Sequence, residues 1–368
     1  MSTTAPTHSR RSAILTVTDV VAETPLATSL TFEVPTEAID RFGYAPGQFL
    51  TLRIPSERTG SVARSYSLSS SPFDDPRPTV TIKRTDGGYA SNWLCDNICV
   101  GDQIESLPPA GVFTPRDLDV PLLLIAGGSG VTPIMSILTA ALSQGHAPIT
   151  MVYANRSADD VIFADRLDAL TAANPDRLTV VHWPADQRGL PTAAALAPVL
   201  RPHRDREVFL CGPAPFMEVT RTALSDIGVE RAAIHTEVYL SLTGDPFTDP
   251  APTASDTTGT GTDTPGIDTA DAPGTDTADA AKVAVELDGT VHQLDWPRDQ
   301  TLVEVMLAAG IDVPYSCQAG ECGSCTATIS AGTVEMTACE ALDPDDVADG
   351  YILGCQARPT ADRIEIAF

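Results

Sequence analysis

The chain has 368 residues, room for two or three domains. Its 23 Lys+Arg against 49 Asp+Glu give a formal charge of −26, which excludes a nucleic-acid backbone or an anionic membrane surface as main partner, because both would repel it. No apolar run reaches the roughly 18 residues of a membrane span, and the opening MSTTAPTHSRRSAILTV lacks a signal-peptide core, so a cytoplasmic protein is expected.

In chain order, segments 13–21, 29–34, 48–54, 65–70 and 80–83 alternate or are β-branched, with Pro and Gly between them. They predict an antiparallel β-barrel or sandwich as the first domain, residues 1–115. From Pro121 the pattern changes: buried-strand runs at 122–126, 149–154, 178–182 and 208–211 alternate with helical stretches at 159–173 and 215–227. This predicts an α/β domain with a parallel sheet and helices on both faces, residues 116–244. Residues 245–280 hold eight Asp and no Lys or Arg, and from 248 onward Ile267 is the one large apolar residue. Such a segment cannot bury enough apolar surface to offset its conformational entropy, so a disordered acidic linker is expected. Its 36 residues have a typical end-to-end distance of about 30–35 Å. Beyond it, 281–287 and 291–295 predict a hairpin around Asp288-Gly289 and 301–309 a short helix, opening an α+β third domain, 281–368. That domain holds 15 acidic and 4 basic residues. Charge of this density is expected to steer a partner, with coupling that weakens with salt, unless it only serves solubility.

Three of the eight cysteines cluster in Cys317-Gln-Ala-Gly-Glu-Cys322-Gly-Ser-Cys325, spacing C-x4-C-x2-C, and Cys355 follows 30 positions later. Four thiolates in this pattern suit a [2Fe–2S] cluster of the plant-type ferredoxin kind. A zinc knuckle or unligated cysteines are the alternatives, but zinc sites usually pair two C-x2-C units, and Cys355 has no near partner. Cys339 fits no ligand position, and Cys95 and Cys99 are assigned no role.

Upstream, Leu122-Leu-Leu-Ile-Ala-Gly127-Gly128-Ser129-Gly130-Val-Thr132-Pro133 runs from a buried strand through a glycine turn into a helix, a geometry that cradles a pyrophosphate. Gly87-Gly88-Tyr89-Ala90-Ser91 is a second glycine turn before a helix, about twenty residues after Arg64-Ser65-Tyr66-Ser67. Alone, each is as compatible with ordinary packing as with a site.

Together, these motifs resemble the ferredoxin–NAD(P) reductase family carrying a C-terminal plant-type ferredoxin domain of β-grasp-like fold. The order is that of reductase components of bacterial multicomponent oxygenases. The stretches at 44–64, 89–95 and 354–358 bring it nearest the reductases of steroid 9α-hydroxylation; phenylacetyl-CoA epoxidase reductases share the order. The resemblance implies FAD held by Arg64, Ser65, Tyr66, Ser67, Gly88, Tyr89, Ala90, Ser91 and Thr132. It implies NADH held by Gly127, Gly128, Ser129, Gly130, Pro133, Arg156, Cys211, Gly212 and Pro213, and the cluster held by Cys317, Cys322, Cys325 and Cys355. Tyr66, Ser67, Cys211, Glu237 and Tyr239 are implied at the reacting centre, with Tyr239 over the flavin where nicotinamide must enter. Arg156 leaves NADPH open, while the acidic pair Asp159-Asp160 favours NADH. The implied course of electrons is NADH to FAD to cluster to an oxygenase, expected to be a Rieske non-haem iron enzyme; a di-iron monooxygenase and a redox-sensing module are the alternatives.

Overall fold

Alternation of inward and outward side chains along its first strand, Ala13–Thr24, sets the core register of the first domain. Its strands are β1 (Ala13–Thr24), β2 (Ala27–Glu33), β3 (Phe49–Ser56), β4 (Gly60–Ser67), β5 (Thr79–Lys83) and β6 (Gln103–Ser106), with helix α1 (Tyr89–Asn97) before β6. They pair antiparallel in the order β4-β3-β6-β1-β2-β5. Leu68, just past β4, bridges Val80 of β5 and so joins the two edges into a barrel. Ala13, Leu15 and Val17 of β1 point inward at period two and meet Leu30, Phe32, Leu50, Leu52, Ile54 and Leu94 of α1 in one core. This computed structural model describes residues 12–75, 77–239, 246–247, 280–287, 289–311, 313–315, 318–321, 323–342 and 344–368. The expected linker at 245–280 falls outside them except for 246, 247 and 280.

The second domain runs β7 (Leu122–Gly127), α2 (Val131–Gln144), β8 (Ile149–Asn155), α3 (Ala164–Ala173), β9 (Leu178–Pro184), α4 (Ala185–Arg188), α5 (Ala193–Leu200), β10 (Glu207–Cys211), α6 (Ala214–Asp226) and β11 (Ile234–Glu237). The sheet is parallel, in the order β11-β10-β7-β8-β9. Every residue of β7 is buried, because it is covered on both sides. Leu122, Leu124 and Ala126 join the core that holds Ile134 and Leu138 of α2. Leu123 and Ile125 join a separate core with Leu196 of α5 and Leu224 of α6. One expectation shifts: the helix expected over 159–173 begins at Ala164. Asp160 instead turns back to accept from Arg156 and Ser157, and Phe163 enters α3 at a φ of +65°.

The third domain comprises β12 (Ala280–Leu287), β13 (Thr290–Pro297), α7 (Leu302–Ala308), β14 (Thr326–Ala331), β15 (Val334–Met336), α8 (Pro344–Ala348), β16 (Tyr351–Leu353), β17 (Ala357–Pro359) and β18 (Arg363–Ala367). Five strands form one sheet, β13-β12-β18-β14-β16, with the β12–β18 pair parallel; β15 and β17 pair separately. Thr301 caps α7 in a reciprocal box with Glu304, whose carboxylate accepts from the Thr301 amide at 2.7 Å. Leu302, Met306 and Trp296 are fully buried under it. One helix packed on a mixed sheet is the β-grasp-like arrangement.

Hydrogen bonds tie the first two domains together. The Ser136 hydroxyl of α2 donates to the Ser70 carbonyl at 2.5 Å and accepts from the Gly47 amide at 3.4 Å. Gly47 has to be glycine: its φ is +97°, and a Cβ there would lie 2.0 Å from the Phe113 carbonyl oxygen. Arg231, ahead of β11, pairs with Asp346 and Asp349 of the third domain at 2.8 and 3.3 Å. Among the described residues no helix is long and apolar enough to cross a membrane.

Candidate functional site

The strand order of the second domain decides where a ligand fits. From β7 the chain winds outward through β8 and β9, then returns to the other side of β7 as β10. The order therefore reverses between the C-terminal ends of β7 and β10, where open α/β sheets leave a crevice. Gly127, Gly130, Cys211 and Gly212 sit there. The glycines are needed for close approach: a Cβ on Gly130 would lie 2.2 Å from the Cys211 carbonyl oxygen, and one on Gly212 would be 2.8 Å from Phe216. Gly128 holds a φ of +52°. Around this turn stand polar groups suited to a dinucleotide. Lys83 of β5 brings its amine to within 3.7 Å of where a Gly128 Cβ would be, and burial lowers its pKa. The Asn155 amide, at the end of β8, is 8 % exposed and among the described residues neither its nitrogen nor its oxygen finds a well-aligned hydrogen-bond partner, although the Tyr153 hydroxyl beside it donates to the Gly128 carbonyl. A buried orphan amide beside a glycine cradle fits a polar ligand such as a nicotinamide dinucleotide. Arg156 donates to Asp160 at 2.7 Å, and the guanidinium holds that carboxylate below its usual range.

The barrel contributes a second set. Along β4, Ser65 and Ser67 face one way and Arg64 and Tyr66 the other. Burial pushes the Tyr66 phenol up, with Arg64 opposing, and Tyr66 and Cys95 of α1 both pack against the barrel core. Helix α1 starts at Gly88 with no side-chain cap, so its first amides point outward free of such a partner. Tyr89 anchors this terminus to the β3–β4 hairpin by donating to the Pro55 carbonyl at 2.7 Å, and Ser91 accepts from the Thr85 amide at 3.0 Å. An uncapped helix N-terminus beside a guanidinium-bearing strand fits the phosphates of FAD.

The two sets meet at Tyr239. Ser67 donates to the Tyr239 hydroxyl at 3.2 Å, Tyr239 bonds Thr132 at 3.0 Å, and Thr132 donates to the Ser129 carbonyl at 3.1 Å. The residue is 45 % exposed, yet its phenol oxygen is enclosed, and burial raises its pKa far above the usual value. Cys211 is fully buried, its thiol pushed up by burial and by Glu237 beside it; burial in turn raises the Glu237 carboxyl to about 8. A cleft is lined by Phe49, Ser65, Ser67, Glu237, Val238 and Tyr239 together with Glu321 of the cysteine loop. Of the residues expected at the reacting centre, four gather here and Tyr66 stands on the opposite face of β4.

In that loop, Cys317 and Cys322 lie outside the described residues. Cys325, leading into β14, and Cys355, following β16, are brought together because Thr326 pairs with Leu353. The Cys355 backbone amide donates to the Cys325 sulfur at 3.4 Å, and the Gln356 side-chain Nε2 donates to the Cys355 sulfur at 3.8 Å. Gln318, Gly320 and Gly323 hold positive φ, and a Cβ on Gly320 would press the Ala338 carbonyl at 2.7 Å. Buried sulfurs receiving N–H bonds inside a tight loop fit an iron–sulfur cluster. Cys339 is packed against the domain core and Cys95 is half-buried against the Ile82 carbonyl, while Cys99 is exposed.

Lys83, Asn155, Ser136 and Glu321 are not among the site residues expected from sequence. Lys83, one of two lysines in the chain, precedes the Gly87-Gly88 turn, and that is the signal available for it.

Fold and site define an oxidoreductase with FAD, NAD and [2Fe–2S] domains in series. The chain matches the oxidoreductase FAD-binding domain over residues 15–114, the oxidoreductase NAD-binding domain over 124–222 and the 2Fe-2S iron-sulfur cluster binding domain over 285–360. It is 56 % identical over its whole length to the full length of the ferredoxin reductase component of a 3-ketosteroid-9-alpha-monooxygenase from Rhodococcus rhodochrous. It is 28 % identical to one subunit of the 1,2-phenylacetyl-CoA epoxidase of Escherichia coli, across 96 % of this chain and 97 % of that one. Phthalate dioxygenase reductase shares the three-domain architecture, with a TM-score of 0.54, 21 % identity and coverage of 97 % and 98 % of the two chains. The chain belongs to the family of oxygenase reductases that includes the 3-ketosteroid-9-alpha-monooxygenase ferredoxin reductase component.

Proposed function

We propose that this chain is the reductase component of a steroid 9α-hydroxylating oxygenase of the Rieske non-haem iron class, taking electrons from NADH. The observation that carries the reading is the shared cleft. Glu237 and Tyr239 of the nucleotide domain, Ser67 of the flavin barrel and Glu321 of the cysteine loop line one space, so hydride delivery and electron exit would share it. FAD, when bound, supplies the exchange between hydride and single electrons. The protein's residues do the positioning. Arg64 and the amides of 88–91 would hold the phosphates, with Tyr66 on the Arg64 face of β4 as the ring FAD would meet there, and Ser67 and Thr132 would hold the reacting edge. Gly127–Pro133 and Cys211–Pro213 form the crevice for NADH. Tyr239 bridges Ser67 and Thr132 at the place the nicotinamide must enter, so it moves aside on each turnover. Glu237, protonated below pH about 8, offers an O–H to the nicotinamide carboxamide and puts no negative charge beside the departing hydride.

Two further points support finer readings. The Arg156–Asp160 pair occupies the guanidinium that a 2′-phosphate would need, which favours NADH over NADPH. Identity of 56 % to a steroid oxygenase reductase, against 28 % to the epoxidase protein, favours the steroid system over the di-iron alternative. The cytoplasm suits the assignment because its reducing poise keeps four cysteines available to the cluster. The test is anaerobic addition of NADH to the purified protein, followed by coupling to steroid and epoxidase oxygenase components. Flavin and cluster should bleach in turn, and product should form with the steroid oxygenase. No bleaching by NADH, or coupling to the epoxidase alone, would defeat the reading.

A further inference from the structure

By sequence Phe247 belongs to the linker, with nothing to pack on. It is instead 3 % exposed, in a cluster with Ala63 of β4 and Leu107 just past β6, and Ala319 of the cysteine loop packs against that cluster. The Arg53 guanidinium stands 5.5 Å from the centre of its ring. That cation is itself held in place, donating to Ser61 at 3.0 Å and to Glu105 at 3.1 Å. The ring therefore meets a prepared niche made by three barrel strands, since Arg53 pairs with Ala63 in register and Leu107 donates to Thr51. The niche adjoins the flavin side of the barrel: Ala63 precedes Arg64, and its carbonyl accepts from the Arg64 guanidinium at 2.6 Å. On the other side it adjoins the cluster loop, two residues from Glu321, which walls the cleft. Tyr239 is tied to Ser67, four residues further along β4 than Ala63, about 13 Å at strand spacing. Phe247 thus lies on the barrel eight positions after Tyr239, beside Ala63, which leads into Arg64.

We propose that Phe247 is a positioning residue for electron transfer: it pins the first turn of the interdomain connection to the barrel and gives the cluster loop, through Ala319, an apolar seat beside the flavin. The proposal rests on the function proposed above and deepens it. Two consequences follow. The third domain is tethered at the barrel beside the flavin, not at the end of the nucleotide domain. The approach of cluster to flavin is also set by an apolar contact, in addition to the charged pairs of Arg231. The step concerned moves one electron. NADH gives a hydride to the flavin and leaves as NAD+, one electron passes from reduced flavin to cluster, and one ferric iron becomes ferrous. The second electron follows once the oxygenase has re-oxidised the cluster, and the proton left on the flavin returns to solvent.

The test uses full-length protein holding both cofactors, in stopped flow without oxygen. F247A should keep the wild-type rate of flavin bleaching by NADH. Its rate of cluster bleaching should fall about tenfold, the change in docked population when a contact of about 1.4 kcal/mol is lost. F247L, which refills the niche, should recover most of the rate, and flavin and cluster potentials should be unchanged in both. Because an apolar seat is insensitive to screening, the F247A defect should be the same at low and high salt. Cluster bleaching at the wild-type rate in F247A overturns the proposal, as does a defect that F247L shares in full. Independently of any variant, amide exchange in the wild-type protein should be slow at 246–247, and exchange at the rate of free peptide there overturns it too. Failure of NADH to reduce the wild-type flavin would instead defeat the functional reading, so the two failures are distinct.

Discussion

Gly130 offers the sharpest test of the nucleotide crevice. Replacing it by Ala puts a Cβ 2.2 Å from the Cys211 carbonyl oxygen, 2.4 Å from its carbon and 2.6 Å from the Gly212 nitrogen. All three are backbone atoms, so no side chain can swing away. The start of α2 and the end of β10 must part by about 1 Å before the contact is merely tight, and overpacking of this kind costs roughly 1–3 kcal/mol. The φ of Gly130 is −60°, so backbone strain adds nothing and the clash alone is tested. Displacement of about 1 Å at a site that orients a reacting group costs on the order of 100-fold. G130A should therefore melt several degrees lower and lose about 100-fold in NADH–ferricyanide kcat/KM while retaining FAD. Gly43 is the control, because a Cβ there meets nothing within 4 Å. G43A should match the wild type in both assays. If G130A melts and turns over like G43A, the close approach of β7 and β10 is wrong, and with it the placing of NADH.

Lys83→Met should raise KM for NADH about tenfold with little change in kcat, as loss of a charge-assisted contact of about 1.5 kcal/mol predicts; steady-state kinetics at low salt decide it. Glu237 is raised from 4.5 to about 8 in the fold, so between those values the folded protein keeps a proton that the unfolded chain has released. Its contribution to stability is fully present below pH 4.5 and is lost as pH rises through about 8, and melting curves of E237Q should lack that decline across the window. Cys355→Ser should abolish the cluster and its electron paramagnetic resonance signal, whereas Cys339→Ser should retain both, because Cys339 only packs.

What could be read in advance was whatever the chain writes locally. The inward period of β1, the fully apolar β7, the two glycine turns and the cysteine spacing each lie within a dozen residues, and each states its own physical requirement. Lys83 and Asn155 carry no such signature. One ends a barrel strand and the other a sheet strand, and they acquire meaning only when Gly128 comes between them. Ser136 reads as a polar residue on a buried helix until Ser70 of another domain supplies its acceptor. The start of α3 is set by Asp160 turning toward Arg156, a contact that helical periodicity at 159–163 does not announce. Phe247 is hidden by its neighbours: a single aromatic in a Thr/Asp/Pro segment has no periodicity, and the niche that receives it is assembled from β3, β4 and β6.

The charged pairs of Arg231 bear on how the enzyme responds to ionic strength. Arg231 is 43 % exposed and its partners Asp346 and Asp349 are 32 % and 58 % exposed, so each bridge contributes only ~0.2–1 kcal/mol and is screened by salt. A clasp that weak leaves the seated and released positions of the iron–sulfur domain close to balance. The same carboxylates belong to the acidic surface that a basic oxygenase would seek. In dilute buffer Arg231 and an oxygenase partner would compete for them, so part of the population would stay clasped. In concentrated salt the clasp opens freely, but attraction to the oxygenase is screened as well. Coupled turnover is then a peaked function of ionic strength, and Arg231→Gln should move the peak to lower salt.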